Sequence, residues 1–422
     1  MQTTSRTLSN GLRVILVDTQ SFPTLTALVM VGAGSRYETV QNNGIAHFFE
    51  HMAFKGSKQF PNSYAISSAI EGIGGVFNAF TSKDHTGYWI KATNDHTTKL
   101  LDVLSDMLLQ SLLDPEEIER EKGVIVEEIN MYEDMPARKV GDIFEEVVYK
   151  GNPLGYDIAG TKDTVTSFNQ ETFTSYMDLL YAPSNATVVL AGGLQGKQEE
   201  YISYLEKKFG SWKDKVTPQP IPFQHAQTKP EFFAKNKKTE QVHISIGYRA
   251  FSFSDKRKYA LQLLAAILGG GMSSRLFMQV RERRGLCYYI STGRELYSDS
   301  GTIVTQAGIR NDKVKIQEAI HVIIDEHMKI AAGAITEKDV TDAKELVKGR
   351  FTLSLEDSMN IATLFGTKYV LEKEVADPTK VIQKIMEVQK DDIVTLAKEL
   401  FISRNVNGAL IGPFTSADFK LE

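Results

Sequence analysis

The sequence predicts an α+β fold of two homologous domains, each a mainly antiparallel sheet covered by helices. Three observations carry that prediction. A proline-rich stretch, Thr217-Pro-Gln-Pro-Ile-Pro-Phe-Gln-His-Ala-Gln-Thr-Lys-Pro230, interrupts the chain near its midpoint with four prolines in fourteen residues. Proline fixes φ and removes a backbone donor, so this reads as an extended linker. The flanking segments also end alike, in Tyr181-Ala-Pro-Ser-Asn-Ala-Thr-Val-Val-Leu-Ala-Gly192 and Phe401-Ile-Ser-Arg-Asn-Val-Asn-Gly-Ala-Leu-Ile-Gly412. Asn185 and Asn405 stand 220 positions apart, as do Gly192 and Gly412. Finally, strands come in pairs and helices in runs, which is the α+β pattern and not that of alternating βαβ units. We read a diverged duplication, with an N-terminal domain at 1–216, a linker at 217–230 and a homologous C-terminal domain at 231–422.

The elements follow in the same order in each half. Apolar strands are expected at 12–17 and 25–31, and again at 231–235 and 242–248. Two helical segments follow, about 43–55 and 62–72, then 255–268 and 273–284. Two more strands come next, 76–81 and 86–92, then 287–296 and 301–309, before several helices and a final strand. Near Leu113, Asp114 is a good N-cap, Pro115 suits a first turn and Glu117 completes a capping-box pattern. Leu268-Gly-Gly-Gly-Met-Ser-Ser-Arg275 lacks the lysine and spacing of a P-loop and reads as a tight turn between helices.

Bulk properties narrow the function. At 422 residues the chain exceeds one ordinary core, and 42% hydrophobic with 24% charged residues is a soluble globular composition. A net charge of −5 argues against a dedicated nucleic-acid binder. Cys287 is the only cysteine, which excludes an intrachain disulfide and a thiolate zinc cluster and fits a reducing compartment. The opening MQTTSRTLSNGLRVILVD has no basic segment followed by an apolar region, so no secretory signal is expected. No apolar run reaches the ~18 residues of a membrane span, and the expected location is cytoplasmic.

The chemistry concentrates in Gly44-Ile-Ala-His-Phe-Phe-Glu-His-Met-Ala-Phe-Lys-Gly56. On a helix, residues four apart differ by about 40° around the axis and residues three apart by about 60° the other way. His47, Glu50 and His51 therefore share one face, and two imidazoles one turn apart can reach one ion. The order H-x-x-E-H is the inverse of H-E-x-x-H. By itself the pattern also fits a buried amphipathic helix whose histidines are satisfied by hydrogen bonds. The surrounding Phe48, Phe49, Met52 and Phe54 would desolvate the polar trio, which is costly without an ion or partners. Two histidines leave a tetrahedral site incomplete. In the helix after Asp114, Glu121 and Glu128 lie seven apart on one face and Glu127 faces elsewhere, although most helical glutamates are merely solvated.

Taken together, H-x-x-E-H, a gap of 76 residues and then Glu128, within Glu121-Lys-Gly-Val-Ile-Val-Glu-Glu128, resemble the pitrilysin-type zinc peptidases, or inverzincins, across essentially the whole chain. The group resembled most is that of the mitochondrial processing peptidase beta subunit and its bacterial relatives. The resemblance implies one zinc ion per chain, held by His47, His51 and Glu128, with Glu50 as general base. Glu121 matches the acid that supports a ligand histidine. Val76 to Thr81 resembles the edge strand that pairs with the cleaved peptide, putting Asn78, Ala79 and Phe80 against substrate. His85 just beyond reads as surface turn. Arg281 and Tyr288, in Arg281-Glu-Arg-Arg-Gly-Leu-Cys-Tyr288, match the arginine/tyrosine motif that binds substrate backbone in the second half; Arg283 and Arg284 read as surface charges and Cys287 as buried filler.

One chain carries both motifs, so a homodimer enclosing a chamber is expected, acting on unstructured peptides. The presequence-cleaving members have acids 10 and 14 positions past the third ligand; here those positions are Arg138 and Asp142, which favours broader peptide cleavage. A non-catalytic assembly subunit, or a peptide-binding module, is the alternative.

Overall fold

The structure is a computed structural model describing residues 1–224 and 227–421. A first sheet contains β1 (Gln2–Thr7), β2 (Arg13–Asp18), β3 (Thr24–Val31), β4 (Val76–Thr81), β5 (Thr86–Thr93) and β6 (Ala186–Gly192), in the order β1-β2-β6-β3-β5-β4. A second contains β7 (Glu231–Asn236), β8 (Gln241–Ala250), β9 (Cys287–Leu296), β10 (Gly301–Arg310) and β11 (Asn407–Gly412), in the order β7-β11-β8-β10-β9. The helices are α1 (Ile45–Met52), α2 (Ser63–Glu71), α3 (Thr97–Leu109), α4 (Pro115–Glu133), α5 (Pro136–Val148), α6 (Lys162–Ser167) and α7 (Gln170–Leu180). They continue with α8 (Gln198–Phe209), α9 (Lys258–Gly269), α10 (Lys313–Ala331), α11 (Glu337–Ser354), α12 (Ser358–Glu372), α13 (Pro378–Glu387) and α14 (Lys390–Leu400).

The sheets repeat one topology. The pair β2/β6 is parallel and so is β7/β11, while every other neighbouring pair is antiparallel. Sheet one differs by the added edge strand β1. Apolar patterning does not reveal β1, because its QTTSRT is almost wholly exposed and carries no apolar alternation. Residues 217–224 and 227–230 form neither helix nor strand.

Two compact units result, and they differ from the contiguous halves. Unit 1 is 1–129, 156–221 and 353–376; unit 2 is 130–155, 222–352 and 377–422. Each sheet is covered on both faces. In unit 1, Val14, Leu16, Ala27, Val29, Val188 and Leu190 meet one core with α1, α3, α7 and α8. The alternate residues Ile15, Val17, Leu28, Met30, Val189 and Ala191 meet α12 through Ile361, Ala362 and Phe365. In unit 2, Ala409 and Ile411 of β11 meet α5 through Val140, Ile143, Phe144 and Val148. Thus α12, from the later half of the sequence, closes the earlier sheet, and α5 does the converse.

Two helical segments depart from expectation. The helix expected at 43–55 is regular only over Ile45–Met52. Within the segment expected at 273–284, Phe277–Glu282 winds as a π-helix, and the Arg283 N–H donates to the Met278 carbonyl at 3.0 Å. Among the described residues, no helix is long and apolar enough to cross a membrane.

Candidate metal centre

The site is built on α1, whose two faces do different work. Ile45, Ala46, Phe48, Phe49 and Met52 are buried in the core. Phe48 packs edge-on against Phe173 at 5.0 Å and Phe49 against Tyr181 at 5.1 Å, which fixes the rotation of the helix. The opposite face then presents His47, Glu50 and His51. Asp114 caps α4 by accepting from the Glu116 N–H at 2.8 Å. Glu117, expected to complete a capping box, instead pairs with Arg120.

Helix α4 brings two carboxylates to α1. Glu128 Oε2 lies 3.6 Å from His47 Nε2 and 3.4 Å from His51 Nε2. One ligand atom from each of these three residues lies within 4.8 Å of the others. Zinc–donor bonds of about 2.0–2.1 Å in a tetrahedron put donor atoms roughly 3.3–3.4 Å apart, so the donor set fits zinc in chemistry and the two Glu128–histidine separations fit it in spacing. Glu121 Oε1 is 2.9 Å from His51 Nδ1, and its other oxygen is 2.5 Å from Lys55 Nζ. A proton held on Nδ1 by that carboxylate would leave Nε2 to give its lone pair to a metal ion; without an ion, Nε2 faces the Glu128 carboxylate as a protonated donor.

The charges are consistent with this division. Burial opposes a charged His51, but hydrogen bonds to Glu121 and Glu128 and their negative charge push it up to about 9. A dication would meet the same negative charge. Burial also opposes the Glu121 carboxylate, yet His51 and Lys55 hold it below its ordinary range. For Glu50 burial dominates and raises the pKa, against a 2.6 Å hydrogen bond from Thr81 Oγ1. Glu50 is thus the more basic carboxylate.

Strand β4 is an edge of its sheet, and α1 packs against it. Of its predicted residues Asn78 is exposed, Phe80 half-buried and Ala79 buried. His85 lies in the β4–β5 turn, as expected, but is half-buried rather than exposed. Its ring meets Phe80 edge-on at 6.1 Å, its Nδ1 is buried without a partner, and burial lowers it to about 4.

In unit 2, Arg281 lies on the π-helix and Tyr288 on the edge strand β9, the guanidinium 5.6 Å from the ring centroid. Tyr288 is 73% exposed. Arg283 and Arg284 are exposed, as expected, and Cys287 is buried, its thiol pushed up to about 11 by burial. Arg138 covers the Tyr132 ring at 3.3 Å, and Asp142 lies 3.6 Å from Lys139.

Motif and spacing do not single out Lys55, Thr81 or Glu38, which the structure adds to the site. Lys55 follows His51 by one turn, which is a usable signal. Thr81 reaches Glu50 only through tertiary packing. Glu38 caps α1 from outside any local capping pattern: its carboxylate accepts from the Gly44 N–H at 2.8 Å and the Ala46 N–H at 2.9 Å.

An H-x-x-E-H helix joined by a distant carboxylate, on a duplicated α+β fold, defines the inverzincin class. Residues 13–162 match the family described as Insulinase (Peptidase family M16), and 167–347 match the Peptidase M16 inactive domain. A Bacillus subtilis protein described as an uncharacterized zinc protease is 35% identical, over 96% of this chain and 97% of its own. A Rickettsia felis protein of the same description is 31% identical over 96% of each. The crystal structure of a protease from Helicobacter pylori superposes with TM-score 0.91 at 26% identity, covering 98% of this chain and 100% of that one. A Pseudomonas fluorescens structure titled as a peptidase M16 inactive domain shares the fold at TM-score 0.89 and 16% identity, over 99% of each chain. The chain belongs to peptidase family M16.

Proposed function

We propose that this protein is a zinc-dependent endopeptidase that hydrolyses peptide bonds in short or unfolded polypeptides, with one zinc ion per chain. The observation carrying this reading is the convergence of His47, His51 and Glu128 donor atoms within 4.8 Å, beside a Glu50 that is not among them. When bound, zinc supplies Lewis acidity, polarising a carbonyl and making water more acidic. Glu50 takes the proton of the attacking water and passes it to the leaving amine; the burial that raises its pKa suits it to both transfers. Glu121 orients His51 through Nδ1. An extended substrate adds to the free edge of β4 by main-chain hydrogen bonds, alongside Asn78, Ala79 and Phe80, which selects unfolded segments over sequence.

Arg281 and Tyr288 bind the substrate backbone, supplied by a second copy in a homodimer that encloses the reaction. Wild-type rates in Tyr288→Phe, or sedimentation as an active monomer, would overturn that part.

The decisive experiment pairs zinc content with cleavage of an unstructured peptide by wild type and Glu50→Gln. Stoichiometric zinc in both, with activity falling by about 10²–10⁴ in the variant, is expected for loss of a general base. Equal rates would reject Glu50. The inactive-domain match over 167–347, outside the half that holds the donor cluster, is also compatible with a second reading, a non-catalytic or peptide-binding member. That reading requires peptide binding by wild type without cleavage.

A further inference from the structure

The N-terminus of α1 is capped from outside the helix. An N-cap ordinarily carries Ser, Thr, Asp or Asn, whose side chain accepts from the first turn. Here the N-cap is Gly44, at φ 97° and with no side chain to contribute. No other residue fits there: a Cβ at Gly44 would lie 2.7 Å from the Ala159 carbonyl oxygen. The Ile45 N–H donates to the Asn42 carbonyl at 3.1 Å, while two of the backbone donors at this end, the Gly44 and Ala46 N–H groups, go to Glu38, six positions upstream and 2% exposed. Its Oε2 accepts from the Gly44 N–H and from Asn43 Nδ2, both at 2.8 Å, and its Oε1 accepts from the Ala46 N–H at 2.9 Å. Asn43 Nδ2 also donates to the Asp157 carbonyl at 2.9 Å.

The segment bearing Glu38 is itself tied to the hairpin of the edge strand. The Ser35 N–H donates to the Ser82 carbonyl at 3.2 Å and the Arg36 N–H to the Lys83 carbonyl at 3.0 Å. Arg36 pairs with Asp84 at 3.0 Å, both side chains buried. Ser82 follows directly on β4. One short segment therefore touches both the end of the substrate strand and the start of the metal helix. Burial pushes the Glu38 carboxyl up to about 8, against the pull of the Ala46, Gly44 and Asn43 donors and of the Lys83 charge.

We propose that Glu38 is a positioning residue: its buried carboxylate locks α1 to the β4–β5 hairpin, so that His47, Glu50 and His51 are held in register with the edge strand. This rests on the reading of α1 as the metal helix. Glu38 touches neither metal donors nor substrate; it acts through the backbone of Gly44 and Ala46. Glu38→Gln keeps the volume but turns an amide N–H₂ against N–H donors. A shift of about 1 Å at a catalytic group is enough to cost about 10²-fold.

The test uses the full chain, first without metal. Hydrogen exchange of the α1 amides in Glu38→Gln should accelerate while those of α3 stay near wild type. Titration with zinc against a competing chelator should show about 10–100-fold weaker binding, the range for groups that orient ligands. With peptide substrate, kcat should fall while KM stays within about twofold. Unchanged α1 exchange with unchanged zinc affinity overturns the proposal. So does uniform acceleration across unit 1 with wild-type zinc affinity, which would make Glu38 merely a stabilising residue. Should wild type cleave no peptide, the exchange and zinc arms still decide about Glu38, so the two failures are distinct. Should Glu38→Gln not fold, Asn43→Ala removes one of the three donors, and the same local change, smaller, is expected; its absence overturns the proposal.

Discussion

Helix α1 and helix α9 follow the same pair of strands in the two units, yet only one carries chemistry. Helix α1 reads IAHFFEHM and buries its phenylalanines while turning two histidines and a glutamate the other way. Helix α9 reads KYALQLLAAILG and buries Ala260, Leu261, Leu263, Leu264, Ala265, Ile267 and Leu268, with no imidazole or carboxylate. The long helices that follow differ likewise. Glu121 of α4 is 4% exposed and hydrogen-bonded to His51, whereas Glu345 of α11 pairs with Lys348 at the surface. Since the strand order is shared, the fold does not dictate the site. It supplies a helix beside an edge strand, and a few side chains decide whether that helix is a metal centre or packing.

Three experiments would break or sharpen this comparison. The largest expected effect tests the exchanged helices. Phe365 of α12 and Phe144 of α5 are almost completely buried, and truncating a buried phenylalanine costs about 3–5 kcal/mol. Phe365→Ala should therefore destabilise unit 1 and Phe144→Ala unit 2, each across the sequence midpoint, as read by hydrogen exchange along both sheets. Effects confined to the variant's own sequence half would contradict the exchange.

Next is Glu121→Gln. The amide keeps an acceptor for His51 but loses the charge shared with Lys55. Zinc affinity should fall about 10–100-fold with the fold intact, measured by chelator competition. Glu345→Gln, on the corresponding long helix of unit 2, should leave affinity unchanged.

The smallest concerns the histidines. His327 of α10 is buried, stacked on Phe401 at 4.9 Å, with Nε2 3.2 Å from Thr305 Oγ1. Burial depresses it to about 3. An unfolded histidine binds its proton near 6.5, so the unfolded state gains protons first as pH falls. The stability held by neutral His327 is complete above about 6.5 and is lost progressively as pH falls toward about 3. His327→Phe should flatten this acid limb, read as the pH dependence of denaturant midpoints; an unchanged limb would assign it elsewhere.

Much of the fold and of the metal centre is legible in the sequence. The strand pairs of both halves lie within a residue or two of where apolar patterning puts them, and the inner strands β2, β3 and β6, buried on both faces, read as near-continuous apolar runs. Residues three and four apart must share a helix face, so spacing alone groups His47, Glu50 and His51. The polar strand β1 and the half-buried ring of His85 are not legible in this way. One gives no hydrophobic signal, and the other owes its burial to Phe80 and to the chain packed around its turn.

The sequence alone determined the two-sheet α+β plan, the helix face carrying the histidines and the identity of distant carboxylates able to join them. The plan and the helix face follow from local periodicity and residue chemistry; the carboxylates were singled out only by the family resemblance. Only the tertiary structure decided that Glu128 arrives between the two imidazoles, that Glu38 caps α1 from six residues away, and that α5 and α12 each close the other half's sheet. An amphipathic helix specifies that one face must be buried; which sheet buries it is set by long-range packing that no local pattern encodes.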